Sequence, residues 1–279
     1  MKGKAEISDR EREDWKLSAV GWKKWDHYLM QWLQPVGEKI LDLVGLRDGD
    51  IVLDVATGSG EPGLSAATRV GGGRVIGLDI SQEMVKIALN KARSQGIKNY
   101  EARVYSSSAF PFDADGFDAV VSRFGVMFLP DVLAGLREMA RVLKPSRRAC
   151  VAVWGPQNEG MKSVMGILTD ELGIPESPPD APDPFRCSET GKIGSLIRQA
   201  GFHNVEEVEV ITLRTYSSVG QYWEYLLDMN AAVDEAFKKA DEKNKKETKR
   251  MVDEALGSFA KNDGQVAFES VARVCCGVK

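Results

Sequence analysis

The 279-residue sequence predicts an α/β fold: a doubly wound, mainly parallel sheet carrying a helical lid. Three observations predict it. From Ile51 to about Val153, short runs of Val, Ile, Leu and Ala alternate with amphipathic stretches, the rhythm of a sheet covered by helices on both faces. The first run, Val52-Leu53-Asp54-Val55, passes through Ala56-Thr57-Gly58-Ser59-Gly60-Glu61-Pro62-Gly63 straight into a helix. After Trp154 the alternation stops, and helical stretches accumulate around two late strands.

Taken in order, residues 6–33 read as a helix with Trp15, Val20, Trp22, Trp25, Tyr28, Leu29, Trp32 and Leu33 among charges, holding four of the chain's six tryptophans. These aromatics either pack a lid helix onto the core or also wall a ligand pocket, with Trp22, Trp25, His27 and Tyr28 as the lining residues. Pro35 opens a second helix to about Val44, since proline suits a first helical turn. Strands are expected at 51–55, 74–78, near 100–105, at 117–122 and at 149–153. Between them lie helices from Pro62 to Val70, from an N-cap at Ser81 through Met84, Val85, Ala88 and Leu89, and from Asp131 to Leu143. An extra helix over 159–172 precedes the proline-rich stretch 175–184, and a helix near 189–200 leads to a strand over 205–213. Two helices, 218–236 and 238–260, form a cap. The near-cancelling charges of Lys238–Glu247 read as a solvated face. A last strand runs from Val266 to Cys276. The division is therefore an N-terminal lid over 1–35, a core over 36–154, and an inserted helix and loop over 155–190. The remaining core is 191–217 and 264–279, and the helical cap is 218–263.

Charge excludes some partners. With 37 basic against 41 acidic residues there is no electrostatic footprint for nucleic acid. The charged first fifteen residues do not read as a secretory signal, and no stretch approaches the length of a membrane span. Cys150, Cys187, Cys275 and Cys276 form no CxxC and no zinc spacing, so no metal is expected. Cys150, Cys275 and Cys276, in strand-like sequence, read as reduced buried thiols, which makes the expected location cytoplasmic.

Gly58-x-Gly60-x-x-Gly63, with Asp79 closing the second strand, is the outline of a nucleoside cradle. Three details turn it from dinucleotides. Asp54 lies inside the strand and Glu61 inside the loop, and both would repel a pyrophosphate where an ammonium would be attracted. Asp79 is followed by Ile80 and a helix with Met84, an apolar floor beside an acid suited to ribose hydroxyls. A ribose, an adenine, no phosphate and a cationic amino-acid tail satisfy all three, which describes S-adenosylmethionine.

Val52–Gly60, Gly77-Leu78-Asp79-Ile80-Ser81 and Phe117-Asp118-Ala119-Val120 together resemble the class I S-adenosylmethionine-dependent methyltransferases, most closely the ubiquinone/menaquinone-biosynthesis-like branch acting on small molecules. Phe124-Gly125-Val126-Met127-Phe128-Leu129-Pro130-Asp131 and Leu143-Lys144-Pro145 extend the likeness over 36–154. The resemblance implies a seven-stranded Rossmann-like sheet with the last strand inserted antiparallel. It implies that Gly58 and Gly60 let the backbone pass close to the methionine part, with Asp54 and the carbonyls around Ala56 and Thr57 near its amine. Asp79 would take both ribose hydroxyls, and Ile80 and Met84 would flank the adenine. Ser106 stands where the family often has an aspartate for the adenine amine, and Ser107 offers a backbone N–H. Arg123 and Phe124 follow the fourth strand near the sulfonium. Arg123 could also bind an acceptor carboxylate, or pair with Asp131 or Glu138.

Methyl transfer from a sulfonium is an in-line displacement that positioning and desolvation largely supply. Where a base is needed, His27 is the better candidate of two histidines, His203 being a loop residue. Tyr222 and Trp223 open the cap and either line the acceptor pocket or pack the core. The expected acceptor is a partly apolar small molecule offering O, N, C or S. The rival readings are an NAD(P)-dependent oxidoreductase, which Asp54 argues against, and a non-catalytic S-adenosylmethionine-binding protein.

Overall fold

A computed structural model describes residues 2–105, 109–175, 181–260 and 264–279. Seven strands form one sheet: β1 (Ile51–Val55), β2 (Arg74–Asp79), β3 (Tyr100–Val104), β4 (Phe117–Arg123), β5 (Leu143–Trp154), β6 (His203–Tyr216) and β7 (Val266–Val278), in the order β3-β2-β1-β4-β5-β7-β6. Pairs from β3 to β5 are parallel, and β7 runs antiparallel to both β5 and β6. This is the sheet that the resemblance implied. The strand order reverses between β1 and β4, so a crevice opens at their carboxyl ends.

The helices are α1 (Lys2–Val44), α2 (Gly63–Arg69), α3 (Gln82–Ser94), α4 (Val132–Val142), α5 (Glu159–Leu172), α6 (Lys192–Gln199), α7 (Val219–Met229), α8 (Ala231–Lys239) and α9 (Glu242–Gly257). Alternate residues of each strand face opposite layers. Val52, Val75 and Val121 pack with Val36, Ile40 and Leu41 of α1 on one face. Leu53, Val120 and Val151 pack with Leu136 and Met139 of α4 and Ile193 of α6 on the other. The cap has its own core, where Val164 and Leu168 of α5 meet Trp223, Val252 and Leu256.

Several expectations are corrected. The two N-terminal helices are one, running through Pro35. Proline withdraws one hydrogen bond, to the carbonyl of Gln31, but that residue is exposed and water can serve it. Val36 and Ile40 beyond it are fully buried on the sheet, which carries the helix on. Strand β5 begins at Leu143 rather than Ala149, following α4 without a loop; its register with β4 shifts after the Phe117–Leu143 pair, and Ser146 nearby adopts φ 62°. The cap has three helices, because Asn230 ends α7 and its side chain caps α8 by accepting from the Val233 N–H at 3.1 Å.

The reduced-thiol reading is overturned for two cysteines. Cys150 and Cys276 lie directly opposite on β5 and β7 and form a disulfide, while Cys187 and Cys275 are free and buried. The argument for a cytoplasmic location drawn from reduced thiols goes with it. Among the described residues, no helix is long and apolar enough to cross a membrane. The bridge closes 126 residues of chain. A cross-link of that span restricts the unfolded ensemble and typically contributes about 2–4 kcal/mol. Reduction is therefore expected to lower the thermal midpoint by roughly 5–15 °C in a chain of this size. Calorimetry with and without dithiothreitol checks this, and an unchanged midpoint after thiol titration confirms reduction would remove the contribution.

Candidate functional site

The loop after β1 is held from inside. Asp54 is wholly buried; its Oδ2 accepts from the Thr57 hydroxyl at 2.6 Å and from the Gly63 N–H at 3.0 Å, drawing the two ends of the loop together. The Thr57 hydroxyl also meets the Tyr100 hydroxyl at 2.9 Å. Gly63 is glycine for space, since a Cβ there would lie 2.7 Å from Asp54 Oδ2 and 2.9 Å from the Tyr100 ring. Gly58 differs: it takes φ 55°, and a Cβ would meet nothing within 4 Å, so its bare face opens onto the crevice. The second oxygen of Asp54, Oδ1, is buried without a hydrogen-bond partner. Burial pushes the Asp54 carboxyl up to about 7 against the opposing pull of Thr57 and Arg123.

Asp79 closes β2 beside this loop. Its Oδ2 accepts from the Gly58 N–H at 2.8 Å and its Oδ1 from the Ser81 N–H at 2.9 Å, which fixes the carboxylate at the crevice edge with lone pairs to spare. Burial pushes it up to about 6. Ile80 beside it is half-buried, and Met84 is buried in the first turn of α3, whose N-cap is Ser81 as expected. Glu61 accepts from the Ser65 N–H at 3.1 Å, so an acid of the loop already occupies the first turn of α2, where a phosphate would otherwise sit.

Across the switch, Phe124 takes φ 59° and Ala56 takes φ 56°, two non-glycine residues in the left-handed region at the ends of neighbouring strands. The two strand ends pack closely at the next residue, where a Cβ on Gly125 would fall 2.3 Å from that of Ala56. The Phe124 ring stacks on Trp154 of β5 at 3.8 Å and 13°.

Helix α1 crosses over this edge. Asp26 receives the Ser59 hydroxyl of the loop at 2.9 Å and pairs with Lys91 of α3 at 2.9 Å. The Trp25 N–H donates to Asp228 of α7 at 2.8 Å, and Trp25 packs edge-on against Tyr28 and Tyr225. Tyr28 faces Tyr216 at 5.5 Å, and Tyr216 faces Tyr222 at 5.1 Å.

The structure thus brings Asp54, Ala56, Thr57, Gly58, Gly60, Asp79, Ile80, Met84 and Phe124 to one edge of the sheet, with Trp25, Tyr28 and Tyr222 in the aromatic layer beside it. Ser106 and Ser107 lie outside the described residues. His27 is not among the gathered residues: it is exposed on α1, its ring near the Gln31 amide at 3.5 Å. Trp223 turns away because it is one residue, about a quarter turn, from Tyr222; its N–H donates to Asp253 of α9 at 2.9 Å inside the cap. Trp22 is half-buried and packs near Trp15 at 6.2 Å. Arg123 lies beneath α1, donating to the Leu33 carbonyl at 3.3 Å, with Glu61, Asp54 and Asp26 as the acids around it. Glu138, one partner offered for it, is held instead by Arg141 at 2.9 Å.

Sequence reading missed three contributors. Asp26, which accepts from Ser59, and Lys91, which pairs with Asp26, are charged residues that only tertiary packing brings together. Arg214 of β6 is buried and lies between Trp32 and Trp154. The alternation of β6 gave no signal of it, since burial runs in the reverse of the ordinary phase: Ile211 and Leu213 are exposed while Thr212, Arg214 and Tyr216 face inward.

Residues 52–146 match the family model described as a methyltransferase domain. The chain is 30% identical over 212 residues to nocamycin O-methyltransferase of Saccharothrix syringae, covering 70% of this chain and 75% of that protein. It is 36% identical over 148 residues to an uncharacterized protein of Mycobacterium bovis, covering 51% of this chain and 53% of the relative, so it spans about half of that relative's length. Among solved structures, the YcgJ protein from Bacillus subtilis matches with a TM-score of 0.59 at 19% identity, over 88% of this chain and 98% of that one.

Proposed function

From the premise that this chain belongs to the class I S-adenosylmethionine-dependent methyltransferases, we propose that it moves a methyl group to a small, partly apolar acceptor. The observation that carries the reading is the pairing of Asp79 with the open-faced Gly58 at the switch point, with acids and no cation in residues 54–63. The residues fit the cofactor on their own chemistry. Gly58 leaves the space that a Cβ would fill, Asp79 has spare lone pairs for vicinal hydroxyls, and Oδ1 of Asp54 is buried without a hydrogen-bond partner. Bound there, S-adenosylmethionine supplies a methyl group that its sulfonium activates toward a nucleophile.

The protein's part is to bind, orient and exclude water. Asp79 orders the ribose, Ile80 and Met84 flank the adenine, and Asp54 attracts the amino-acid ammonium through the carbonyls around Ala56. Gly60 keeps the loop low, and Phe124 and Trp154 form an apolar wall toward the acceptor. Arg123 sits behind Asp54 and moderates its field. With His27 directed to solvent, the rate is assigned to proximity and desolvation rather than to a positioned base.

Isothermal titration tests the binding half. S-adenosylmethionine and its demethylated product are expected to bind and NAD is not; binding of NAD alone would sink the proposal. Methyl-labelled S-adenosylmethionine with a panel of apolar hydroxy, amino and thiol acceptors tests the transfer half. Cofactor binding without transfer to any of them would favour a non-catalytic binding protein.

A further inference from the structure

Arg214 is 7% exposed, and among the described residues it makes no ion pair. Its guanidinium carbon lies 4.3 Å from the Trp32 ring centre and 4.8 Å from that of Trp154, between α1 and β5. Its Nε is buried with no hydrogen-bond partner. A guanidinium keeps its charge at any ordinary pH and carries five N–H donors, and two ring faces do not satisfy those donors. Among the described residues, the polar groups near it include the Trp32 N–H, buried without a partner, and the phenols Tyr28, Tyr216, Tyr222 and Tyr225, whose ionisation burial disfavours. A buried cation without a carboxylate, among hydroxyl donors and aromatic faces, is an incomplete site for an anion.

Its position ties this site to the transfer chemistry. Trp154 is shared by the two: Arg214 lies 4.8 Å from its ring centre, and Phe124, at the end of β4, stacks on it at 3.8 Å. Arg123, offered by the sequence for an acceptor carboxylate, is already surrounded by Asp26, Asp54 and Glu61. We propose that Arg214 anchors a carboxylate on the methyl acceptor, whose apolar body lies against Trp32, Trp154 and the tyrosines. This rests on the small-molecule methyltransferase reading. The guanidinium's fork matches a carboxylate's two oxygens. Arg214 is little exposed, so a carboxylate reaches it only where the aromatic side chains around it give way.

The test uses 1-naphthoate and its neutral isostere 1-naphthamide, titrated into the full chain saturated with S-adenosylhomocysteine and followed by calorimetry and tryptophan fluorescence. Naphthoate is expected to bind about tenfold or more tightly than the amide, the equivalent of one charged hydrogen bond or more. Arg214→Met should abolish that preference and leave S-adenosylhomocysteine affinity unchanged. Arg214→Lys, which keeps the charge without the fork, should retain only part of it and serves if the methionine variant does not fold. Equal binding of the two probes, no binding of naphthoate, or a preference undiminished in both variants would overturn the proposal. Failure of S-adenosylhomocysteine to bind the unaltered protein would instead overturn the methyltransferase reading beneath it.

Discussion

Alanine at position 79 is expected to weaken S-adenosylhomocysteine binding by well over tenfold. Two losses combine. The carboxylate that would receive both ribose hydroxyls goes, and charge-assisted hydrogen bonds contribute about 1.5–3 kcal/mol each. The clamp on the Gly58 N–H at 2.8 Å goes with it, freeing a loop whose left-handed turn must stay fixed to leave its open face to the ligand. Roughly 3 kcal/mol is a factor of about a hundred in the dissociation constant. Asp79→Asn sharpens the test, because its amide would present donors to the Gly58 or Ser81 N–H and should bind nearly as weakly as alanine. Calorimetric titration reads both, with a thermal melt to show that each variant is folded. An affinity unchanged in Asp79→Ala would remove this residue from the site.

The sheet was legible wherever order along the chain is enough. Buried runs such as Val52–Val55 and Val120–Val121 need no partner to declare themselves, and Ser81 caps α3 because its hydroxyl bond is local. The extra helix over 159–172 likewise stands where its own periodicity put it. What failed depended on distant contacts. Pro35 is a local reason to end a helix, and the burial of Val36 and Ile40 on the sheet outweighs it. Nothing near Cys150 announces Cys276; their meeting is a property of the β5–β7 register. Asn230 is the instructive miss, since an asparagine before a helical run is a local signal that the reading passed over.

At the site, the backbone-shaped part was visible and the side-chain network was not. Gly58, Gly60 and Asp79 have fixed spacing because a tight turn and a neighbouring strand end demand it. The role of Gly63 is visible only with Asp54 and Tyr100 packed against it. Arg214 shows how a site can hide in an ordinary strand. Its neighbours read as alternating, and only burial reveals that the polar phase faces inward and the apolar phase outward.

Asp54→Asn is expected to move stability and ligand affinity in opposite directions. Asp54 and Asp79 have folded-state values raised to about 7 and about 6 by burial. Between the unfolded value near 3.8 and those folded values, the native chain holds protons that the unfolded chain has released. Stability of the ligand-free protein from these two groups is therefore greatest below that window, falls as pH rises through it, and levels off above about 7. Asp118, Glu138 and Asp228, held low mainly by Lys144, Arg141 and Lys24 against their partial burial, act in the other sense and lose their contribution only as pH falls into the acid range. Asparagine at 54 can still accept from Thr57 and Gly63 while removing the buried charge. It should raise the stability of the ligand-free protein above pH 7 by on the order of 1–3 kcal/mol and flatten the fall between pH 5 and 7. The same variant should bind S-adenosylhomocysteine more weakly, because the ammonium loses the negative charge of Asp54. The unaltered protein's affinity should rise with pH over the interval in which its stability declines. Thermal melts and titrations from pH 5 to 8 read both curves, and an Asp54→Asn variant whose two curves overlay those of the unaltered protein would show that this carboxylate neither strains the fold nor serves the ligand. A buried acid that Arg123 offsets only in part costs stability that a ligand's ammonium would recover.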